Sequence, residues 1–299
     1  MSKIILVTGV AGFFGSHVAQ LLASRGDKVI GLDNLNDYYD PTRKRANLEE
    51  VRQVLTQQGQ ADAFSFVEGD IRDQKVVAEL FVTYSFDAIV HLAAMAGVRV
   101  SIENPHIYYD VNVLGTLNLL DAAVGRITRE GKLDTLPTFV FASTSSVYGN
   151  SAQIPFVEHD ASDRPLAPYA ASKRGGELIG YSYHHLYGLA FTALRFFTVY
   201  GPRGRPDMMA YKVLDNIFTG CEVPFYNSGQ MHRDWTFVTD IVQGIMGAVD
   251  RPLGYEIINL GCGQPVLLLE FVKIIEQLAG KPANLVPKPM IEADIAYTH

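Results

Sequence analysis

The sequence predicts a doubly wound α/β fold, a parallel sheet with helices on both faces, and a smaller α/β domain towards the carboxyl terminus. Short apolar runs alternate with segments in which apolar residues recur at helical spacing. Strands that are apolar along their whole length are typical of parallel sheets with two buried faces. Beyond residue 201 the alternation breaks into segments punctuated by glycine and proline, which indicates a separate, smaller unit.

The first three predicted elements form a βαβ unit. Ile4 to Thr8 is a short apolar run, Phe13 to Arg25 has helical spacing, and Lys28 to Asp33 is a second strand that ends in an acid. The same alternation predicts strands at 64–68, 88–91, 138–143 and 191–196, and helices around 74–84, 107–123 and 169–187. We therefore expect a sheet domain of residues 1–196 and 234–259 and a smaller domain of residues 197–233 and 260–299.

Length, charge and cysteine content exclude several classes of protein. The chain has 299 residues, enough for a large core, and a formal net charge of −7, which makes nucleic acid a poor partner. The cysteines are Cys221 and Cys262, and no cluster of residues has metal-ligand spacing. We therefore expect no metal site and a reducing, cytoplasmic location. The apolar runs are too short for a signal peptide or a membrane span, so we expect no membrane association.

A glycine-rich turn joins the first predicted strand to the first helix. Gly9, Gly12 and Gly15 have the spacing G-x-x-G-x-x-G where the strand ends and the helix begins. Glycine allows backbone amides to approach a phosphate closely, and the amino terminus of a helix stabilises negative charge. This placement is typical of the dinucleotide-binding turn of a Rossmann-type sheet. The motif alone is weak, and a plain strand-to-helix turn is the alternative.

Asp33 strengthens the prediction of a dinucleotide site. It ends the second strand, where an acid can accept hydrogen bonds from adenosine ribose hydroxyls and would repel a 2′-phosphate. The cofactor predicted from these residues is therefore NAD and not NADP. The alternative is that Asp33 only caps the turn from Asn34 to Asp37. Asp70 and Ile71 follow the third strand at the same edge, where adenine would lie, but by themselves they leave that role open.

A tyrosine and a lysine are spaced Y-x-x-x-K at the start of a predicted helix, directly after Pro168. The i, i+4 spacing places Tyr169 and Lys173 on one helical face. An ammonium and a positive nicotinamide ring both favour the phenolate, so we expect the tyrosine pKa to fall from about 10 towards neutrality. Such a tyrosine can accept a proton from a sugar hydroxyl while hydride leaves the same carbon. A surface tyrosine beside a solvated lysine is the alternative.

Hydroxyl residues close the strand before this helix. The run from Ser143 to Ser146 carries four hydroxyl groups and is followed by Val147, Tyr148 and Gly149. Burying hydroxyl groups in an apolar core is unfavourable, because each polar atom needs a hydrogen-bond partner. The cluster together with the Y-x-x-x-K pair favours a reactive site over a structural one.

In this order, the glycine turn, the hydroxyl cluster and the Y-x-x-x-K pair resemble the extended short-chain dehydrogenase/reductases of the NAD-dependent epimerase/dehydratase family. The resemblance covers essentially the whole chain and is greatest to the UDP-glucuronate 4-epimerases. The stretches that carry it are LDNLNDYY at 32–39, AMAGVR at 94–99, LRFFTVYGP at 194–202 and RPDM at 205–208.

The resemblance implies roles for the matching positions. Thr144 would hydrogen-bond the sugar 4-hydroxyl, Tyr169 would be the base and Lys173 would modulate it. The implied cofactor-binding positions are Gly9, Gly12, Phe13, Phe14, Gly15, Asp33, Asn34, Asp70, Ile71, Leu92, Ala93, Ala94, Asn112, Tyr169, Lys173 and Phe196. The implied substrate-binding positions are Ser145, Ser146, Thr198, Arg205, Arg233 and Asp294, with Arg233 facing the diphosphate. The helix at 107–123 would supply the face of a homodimer, although a plain core helix is the alternative.

The implied activity is NAD-dependent epimerisation of UDP-glucuronic acid at C4 to UDP-galacturonic acid through a 4-keto intermediate. That intermediate is a β-keto acid, which loses carbon dioxide when the bond to its carboxylate aligns with the carbonyl π system. The enzyme must hold the carboxylate away from this alignment. Ser145, Ser146, Thr198 and Arg205 are suitable donors by residue type, and a loop ion pair is the alternative for Arg205.

The hydroxyl run also distinguishes this chain from related enzymes. The 4,6-dehydratases have T-D-E ahead of Val-Tyr-Gly and the UDP-glucuronate decarboxylases have T-S-E, whereas this chain has Thr144, Ser145 and Ser146. The missing acid argues against elimination and against decarboxylation. Two alternatives stay open: epimerisation of neutral UDP-hexoses, with Arg205 structural, and a non-catalytic NAD-binding regulator. The family's Pro-Gly-Asp turn is replaced by PMIEAD at 289–294, and we expect a smaller domain that is short at its carboxyl end.

Overall fold

The computed structural model describes residues 2–126, 135–151 and 153–299 and contains a seven-stranded sheet in which all pairings are parallel. The strands of the described residues are β1 Ile4–Thr8, β2 Lys28–Asp33, β3 Phe64–Glu68, β4 Ala88–His91, β5 Thr138–Thr144, β6 Phe191–Phe196, β7 Thr198–Tyr200, β8 Glu222–Tyr226, β9 His232–Phe237, β10 Tyr255–Leu260, β11 Pro265–Leu267 and β12 Asn284–Lys288. The α-helices are α1 Phe13–Ser24, α2 Pro41–Gln57, α3 Gln74–Thr83, α4 Val98–Glu103, α5 Pro105–Tyr109, α6 Thr116–Ala123, α7 Pro168–Tyr187, α8 Met209–Thr219, α9 Val238–Asp250 and α10 Leu268–Ala279.

The order of strands in the large sheet is β10-β6-β5-β4-β1-β2-β3. The chain starts in the middle at β1, runs outward through β2 and β3, and then returns to β4 on the other side of β1. This reversal is the topological switch point of a doubly wound sheet, and a crevice forms there at the carboxyl ends of the strands. The predicted Rossmann-type fold is confirmed.

Helices cover both faces of the large sheet. On one face, Val18 of α1, Leu48 of α2 and Ile245 of α9 belong to one buried apolar cluster. On the other face, Leu119 of α6 and Tyr183 of α7 belong to a second cluster. Because both faces are covered, strands such as β4 and β6 are buried at every residue, which explains their mostly apolar sequences.

The predicted helix at 107–123 is a continuous helical run with one irregular part. A π-helical segment, Asp110–Gly115, separates α5 from α6. Such segments are often found beside functional sites. This one carries Asn112, which is almost fully buried next to the loop that follows β4.

The remaining strands form two small sheets. β11, β9 and β7 make a three-stranded sheet, and β12 pairs with β8. Helices α8 and α10 pack with them around an apolar cluster that includes Val213, Phe225 and Val272. β9 lies in the smaller sheet as far as Phe237, whereas β10 joins the large sheet, so the division of the chain at residue 234 stays a prediction.

Within residues 2–126, 135–151 and 153–299, no helix combines the length and apolarity needed to cross a membrane.

Candidate active site

A cleft of about 330 Å³ opens at the carboxyl ends of the large sheet, where the strand order reverses. The catalytic candidates Thr144, Tyr169 and Lys173 line it, together with Thr198 and Arg205. The other predicted cofactor positions on its wall are Gly9, Gly12, Phe13, Phe14, Gly15, Asp33, Asn34, Asp70, Ile71, Leu92, Ala93, Ala94 and Phe196. Positions far apart in the sequence therefore meet in one cavity.

The glycine turn between β1 and α1 has no room for side chains. Gly9 has a φ of +70°, and a Cβ there would lie 2.7 Å from the backbone nitrogen of Ala93. A Cβ on Gly15 would lie 2.1 Å from the carbonyl oxygen of Gly9. The turn therefore presents bare backbone at the start of α1, which fits the pyrophosphate of a dinucleotide.

Asp33 ends β2 on the cleft wall, and its carboxylate holds two loops. Its oxygens accept hydrogen bonds from the backbone amides of Ala11 at 3.0 Å and Leu35 at 2.9 Å. Asp33 thus also caps the turn that follows it. A carboxylate has about four acceptor sites, so these two bonds leave capacity for ribose hydroxyls. Burial raises the pKa of Asp33, against the opposing effects of its backbone hydrogen bonds and the charge of Lys44.

Asn112 lies behind the cleft and holds its wall. Its side-chain amide exchanges two hydrogen bonds with the backbone of Met95, at 2.8 and 2.9 Å, and donates a third to Ser172 Oγ at 2.9 Å. The loop after β4 is thereby tied to α7. Asn112 therefore contacts residues that support the predicted cofactor site, namely Met95 and Ser172.

A buried histidine holds the same loop from the other side. His91 Nδ1 is 2.7 Å from Thr8 Oγ1, and His91 Nε2 is 2.9 Å from Thr116 Oγ1. The amide of Ala93 donates to Thr8 Oγ1 at 3.2 Å. Burial, followed by the positive charge of Lys173, lowers the pKa of His91 well below its usual value, so the imidazole is neutral. The network fixes the backbone at Ala93, opposite Gly9.

The three catalytic candidates come from adjacent elements. Thr144 is the last residue of β5, and Tyr169 and Lys173 lie in the first turns of α7. The Thr144 side chain interacts with the Tyr169 phenol and lowers its pKa. The Tyr108 ring lies edge-on to the Tyr169 ring, with 6.2 Å between centroids. Lys173 is 3 % exposed, and its Nζ lies 4.8 Å from the centroid of Phe141.

Burial shifts the pKa values of Tyr169 and Lys173 in opposite directions. Burial raises the pKa of Tyr169, although the charge of Arg205 and the hydrogen bond with Thr144 act in the opposite direction. Burial also lowers the pKa of Lys173 to about 7, while the charge of Glu177 opposes that shift. The expected fall of the tyrosine pKa towards neutrality includes the charge of the nicotinamide ring and stays a prediction, because the residues of the chain alone shift that pKa upward. The reason is that burial disfavours both the phenolate and the ammonium.

A second cavity of about 160 Å³ adjoins the cleft, and Thr198 lines both. Its other predicted substrate positions are Ser145, Ser146, Arg233 and Asp294. Thr298, whose hydroxyl is buried without a hydrogen-bond partner among the described residues, lines it as well. The structure therefore groups the predicted substrate residues beside the catalytic ones, with Arg205 on the cleft side.

The charged residues at the cavity differ in their pairing. Arg99 Nη2 donates to Asp294 Oδ2 at 2.8 Å, and the Arg99 guanidinium lies 3.8 Å from the centroid of the Tyr226 ring. Arg233 donates to the carbonyl oxygens of His232 and Ala296, at 2.9 and 3.4 Å. Among the described residues it has no carboxylate within ion-pair distance, which suits a side chain that meets an anionic ligand.

Several residues around the cleft were not assigned a role from the sequence. Lys44 Nζ donates to the backbone and side-chain oxygens of Asn36, both at 2.7 Å, next to Asp33. Asp207 forms an ion pair with Arg205, and Glu177 lies in a buried cluster one turn beyond Lys173. The i, i+2 and i, i+4 spacing of opposite charges was visible in the sequence. The contact of Lys44 was not, because it depends on the fold of the loop after β2.

The family model for the NAD dependent epimerase/dehydratase family matches residues 5–261. The chain belongs to this family. Among its relatives, the UDP-glucuronate 4-epimerase of Thermodesulfobacterium geofontis is 43% identical over 294 residues, which cover 98% of this chain and 86% of that protein. UDP-glucuronate 4-epimerase 4 of Arabidopsis thaliana is 42% identical over 313 residues, which cover 99% of this chain and 68% of that protein.

Solved structures of epimerase/dehydratase family members have the same fold. The UDP-glucuronic acid 4-epimerase of Bacillus cereus, in complex with UDP-glucuronic acid and NAD, has a TM-score of 0.85 at 31% identity. The match covers 99% of this chain and 89% of that chain. The dTDP-glucose 4,6-dehydratase DesIV of Streptomyces venezuelae, with NAD and TYD bound, has a TM-score of 0.86 at 31% identity, covering 99% and 87%. Fold similarity therefore does not separate epimerase from dehydratase, and the site residues must do so.

Proposed function

We propose that this chain catalyses the NAD-dependent epimerisation of UDP-glucuronic acid to UDP-galacturonic acid at C4, through a 4-keto intermediate. The family membership supports NAD as cofactor, and the relatives from Thermodesulfobacterium geofontis and Arabidopsis thaliana are UDP-glucuronate 4-epimerases at 42–43% identity. The observation that carries the proposal is that Thr144, Tyr169 and Lys173 line the same cleft as the glycine turn.

The residues after Thr144 favour epimerisation over elimination. Thr144, Ser145 and Ser146 lie together where β5 ends, and the last two line the second cavity. The Ser146 amide donates to Thr144 Oγ1 at 3.2 Å, and the Thr144 hydroxyl donates to Ser146 Oγ at 3.2 Å. These three side chains supply hydroxyl groups and no acid. A dehydratase needs an acid to protonate its leaving group, so this run supports an activity without elimination.

The cofactor site fits NAD because the turn at Gly9 and Gly15 leaves bare backbone for the pyrophosphate and Asp33 disfavours a 2′-phosphate. NAD, when bound there, supplies the acceptor for the C4 hydrogen and the donor that returns it. Tyr169 accepts the proton of the 4-hydroxyl and gives it back when the ketone is reduced. Thr144 orients that hydroxyl, and Lys173, one helical turn after Tyr169 and with a pKa of about 7, is partly protonated under neutral conditions.

The two cavities suit the two ends of a nucleotide sugar. Arg233 lines the second cavity as a cation for the diphosphate, and Ser145, Ser146 and Thr198 supply hydroxyl groups to the same cavity. Arg205 lies on the cleft side and can bind the sugar carboxylate. The bidentate pair of Arg205 with Asp207 equally favours a structural role for Arg205 and a neutral UDP-hexose as substrate. Both substrates must therefore be compared.

Proton NMR of UDP-glucuronate incubated with the protein and NAD tests the proposal. Epimer, pentose and unsaturated products give separate anomeric and ring signals in one spectrum. We expect UDP-galacturonate to accumulate and UDP-glucose to turn over far more slowly. A pentose or an unsaturated sugar as main product, turnover of UDP-glucose alone, or no turnover of either would contradict it.

We also propose that the protein forms a homodimer through α7 and the helical run that contains Tyr109 and Leu114. Leu178, Tyr181 and Leu186 are exposed on one face of α7, and Tyr109 and Leu114 are exposed on the neighbouring run. Apolar side chains that recur on one helix face are typical of a face covered by a partner. Light scattering after gel filtration should give twice the chain mass, and L178E together with Y181E should give the monomer mass. A monomeric unmodified protein would refute the dimer.

A cytoplasmic location is proposed on the basis of the cysteines. Cys221 and Cys262 are both free and exposed, a state that a reducing compartment preserves. Fractionation of cells that express the native chain should find it with cytoplasmic markers. Recovery from an oxidising compartment would contradict the proposal.

A further inference from the structure

Arg205, on the cleft wall, is bound along one edge by Asp207. Arg205 Nε donates to Asp207 Oδ1 and Arg205 Nη2 donates to Asp207 Oδ2, each at 2.9 Å. The two side chains are 23 % and 33 % exposed. A guanidinium is a rigid plane with five N–H donors, so a pair of parallel hydrogen bonds along one edge fixes the orientation of the whole group.

Asp207 is itself anchored to the loop after β2. The Tyr38 hydroxyl donates to Asp207 Oδ2 at 3.3 Å. Burial raises the pKa of Tyr38 to about 12, so the hydroxyl keeps the proton that it donates. Burial would raise the pKa of Asp207, but the hydrogen bonds and charge of Arg205 outweigh it and hold that pKa below its usual range. The ion pair is therefore intact at neutral pH.

The hydrogen bonds of Asp207 leave the other side of the guanidinium available. Asp207 uses Nε and one hydrogen of Nη2, and within the described parts of the chain Nη1 has no hydrogen-bond partner. Nη1 is also not among the buried polar atoms without a partner, so it keeps access to solvent. Nη1 and the second hydrogen of Nη2 form another edge that can take a carboxylate in the same paired geometry.

We propose that Asp207 is a positioning residue for the substrate carboxylate: by binding the Nε edge of Arg205 and being held by Tyr38, it presents the Nη edge to the sugar. The inference rests on the proposed uronic acid substrate and deepens it. Asp207 acts through Arg205, so its effect is confined to ligands that carry a carboxylate. A UDP-hexose, which has a hydroxymethyl group there, gains nothing from the arrangement.

The same arrangement protects the 4-keto intermediate. If the sugar ring changes conformation so that the bond from C5 to the carboxylate aligns with the π orbitals of the C4 carbonyl, that bond breaks and carbon dioxide leaves. The electron pair passes to C5 and the ketone as an enolate, a proton from water then adds at C5, and a UDP-4-keto-pentose results. A guanidinium held by Asp207 fixes the carboxylate and restricts this change of conformation, whereas one released from Asp207 does not.

The test compares D207N with the unmodified protein, both loaded with NAD. Calorimetric titration measures Kd for UDP-glucuronate and UDP-glucose, which differ only at C6, and proton NMR measures the pentose fraction of the products. We expect D207N to weaken binding of UDP-glucuronate about tenfold, because the Arg205 guanidinium loses the partner that orients it. Binding of UDP-glucose should change less than about twofold, since no carboxylate is involved, and the pentose fraction should rise.

D215N is the matched control, because Asp215 is an exposed residue of α8 and the charge change is the same. It should leave both dissociation constants unchanged. Y38F removes the anchor and keeps the Asp207 charge, so it should reproduce the selective loss in weaker form. It also decides the question if D207N does not fold. Equal losses on the two ligands, or no loss on UDP-glucuronate, would overturn the inference. Absence of UDP-glucuronate turnover by the unmodified protein would instead refute the proposed function.

Discussion

The Glu177 carboxylate accepts two hydrogen bonds from the Arg195 guanidinium, from Nε at 2.9 Å and Nη2 at 2.8 Å, and both side chains are fully buried. Ser143 Oγ donates to the same carboxylate at 2.5 Å, and Arg174 Nη1 at 2.7 Å. Glu177 also follows Lys173 by one turn of α7, and its charge raises the lysine pKa against the effect of burial. The pair therefore joins β5, β6 and α7 beneath the catalytic residues.

Breaking this pair should destabilise the protein. E177Q leaves Arg195 buried without a full counter-charge, and the removal of one partner of a buried ion pair costs about 3 kcal/mol or more. Urea unfolding followed by circular dichroism measures the change. E270Q, at an exposed site on α10, should change the free energy of unfolding by less than about 0.5 kcal/mol. Similar losses of unfolding free energy in E177Q and E270Q would show that the buried ion pair contributes no more to stability than an exposed carboxylate.

A methyl group in the glycine turn should impair cofactor binding. In G15A the new Cβ would meet the Gly9 carbonyl oxygen at 2.1 Å and the Val10 Cα at 2.7 Å, so the backbone must move. We expect NAD affinity to fall at least about tenfold and stability to fall by about 2 kcal/mol. G247A is the control, because Gly247 lies in α9 and its added methyl group would have no atom within 4 Å, and it should gain about 0.5 kcal/mol. If G15A bound NAD as tightly as the unmodified protein, the proposed role of the glycine turn in cofactor binding would be contradicted.

Burial of Lys173 should make stability depend on pH in a defined window. Its pKa is about 7 in the folded chain against 10.5 for an ordinary lysine, so the unfolded chain binds more protons between these values. Stability should therefore rise with pH in that window, and K173M should lose the rise. We expect the free energy of unfolding of the unmodified protein to gain roughly 2 kcal/mol over that of K173M from pH 7 to pH 9. K75M, at an exposed site on α3, should keep the rise in stability. If the free energy of unfolding of K173M changed with pH in parallel with that of the unmodified protein, Lys173 would not be the group that titrates.

Removal of the Tyr169 hydroxyl should abolish turnover and leave the fold intact. Y169F keeps the ring that packs against Tyr108 and loses the group that exchanges the proton of the 4-hydroxyl. We expect kcat to fall about 10³-fold, within the range for loss of a general base, with NAD binding retained. Y84F, directly after α3 at a position that does not line the cleft, should retain normal turnover. A loss of less than tenfold in Y169F would assign the proton transfer to another group.

The spacing of apolar residues along the sequence was sufficient to predict the large sheet, but it did not predict every helix. The apolar runs at β1, β4 and β6 indicated strands, because strands buried on both faces are mostly apolar, although β6 also buries Arg195. Helix α2, Pro41–Gln57, was not predicted, because it is mostly polar and buries few apolar side chains, among them Leu48 and Val51. Its amino terminus did carry a signal, since Asp40 accepts a hydrogen bond from the Thr42 amide.

The site was predictable where a motif fixes backbone geometry and less so where side chains meet across the fold. The glycine turn and the Tyr169 and Lys173 pair follow from spacing along one element. The direction of the Tyr169 pKa does not, because burial depends on what surrounds the ring. The contact of Tyr38 with Asp207 could not be predicted either, since it joins residues 169 positions apart in the sequence.

The central claim is that hydrogen leaves C4 of the sugar and returns to the same carbon without leaving the cleft. UDP-glucuronate labelled with deuterium at C4, incubated in ordinary water and followed by NMR and mass spectrometry, tests it most directly. The account predicts UDP-galacturonate that keeps deuterium at C4. Epimer that carries hydrogen from water at C4 would contradict it.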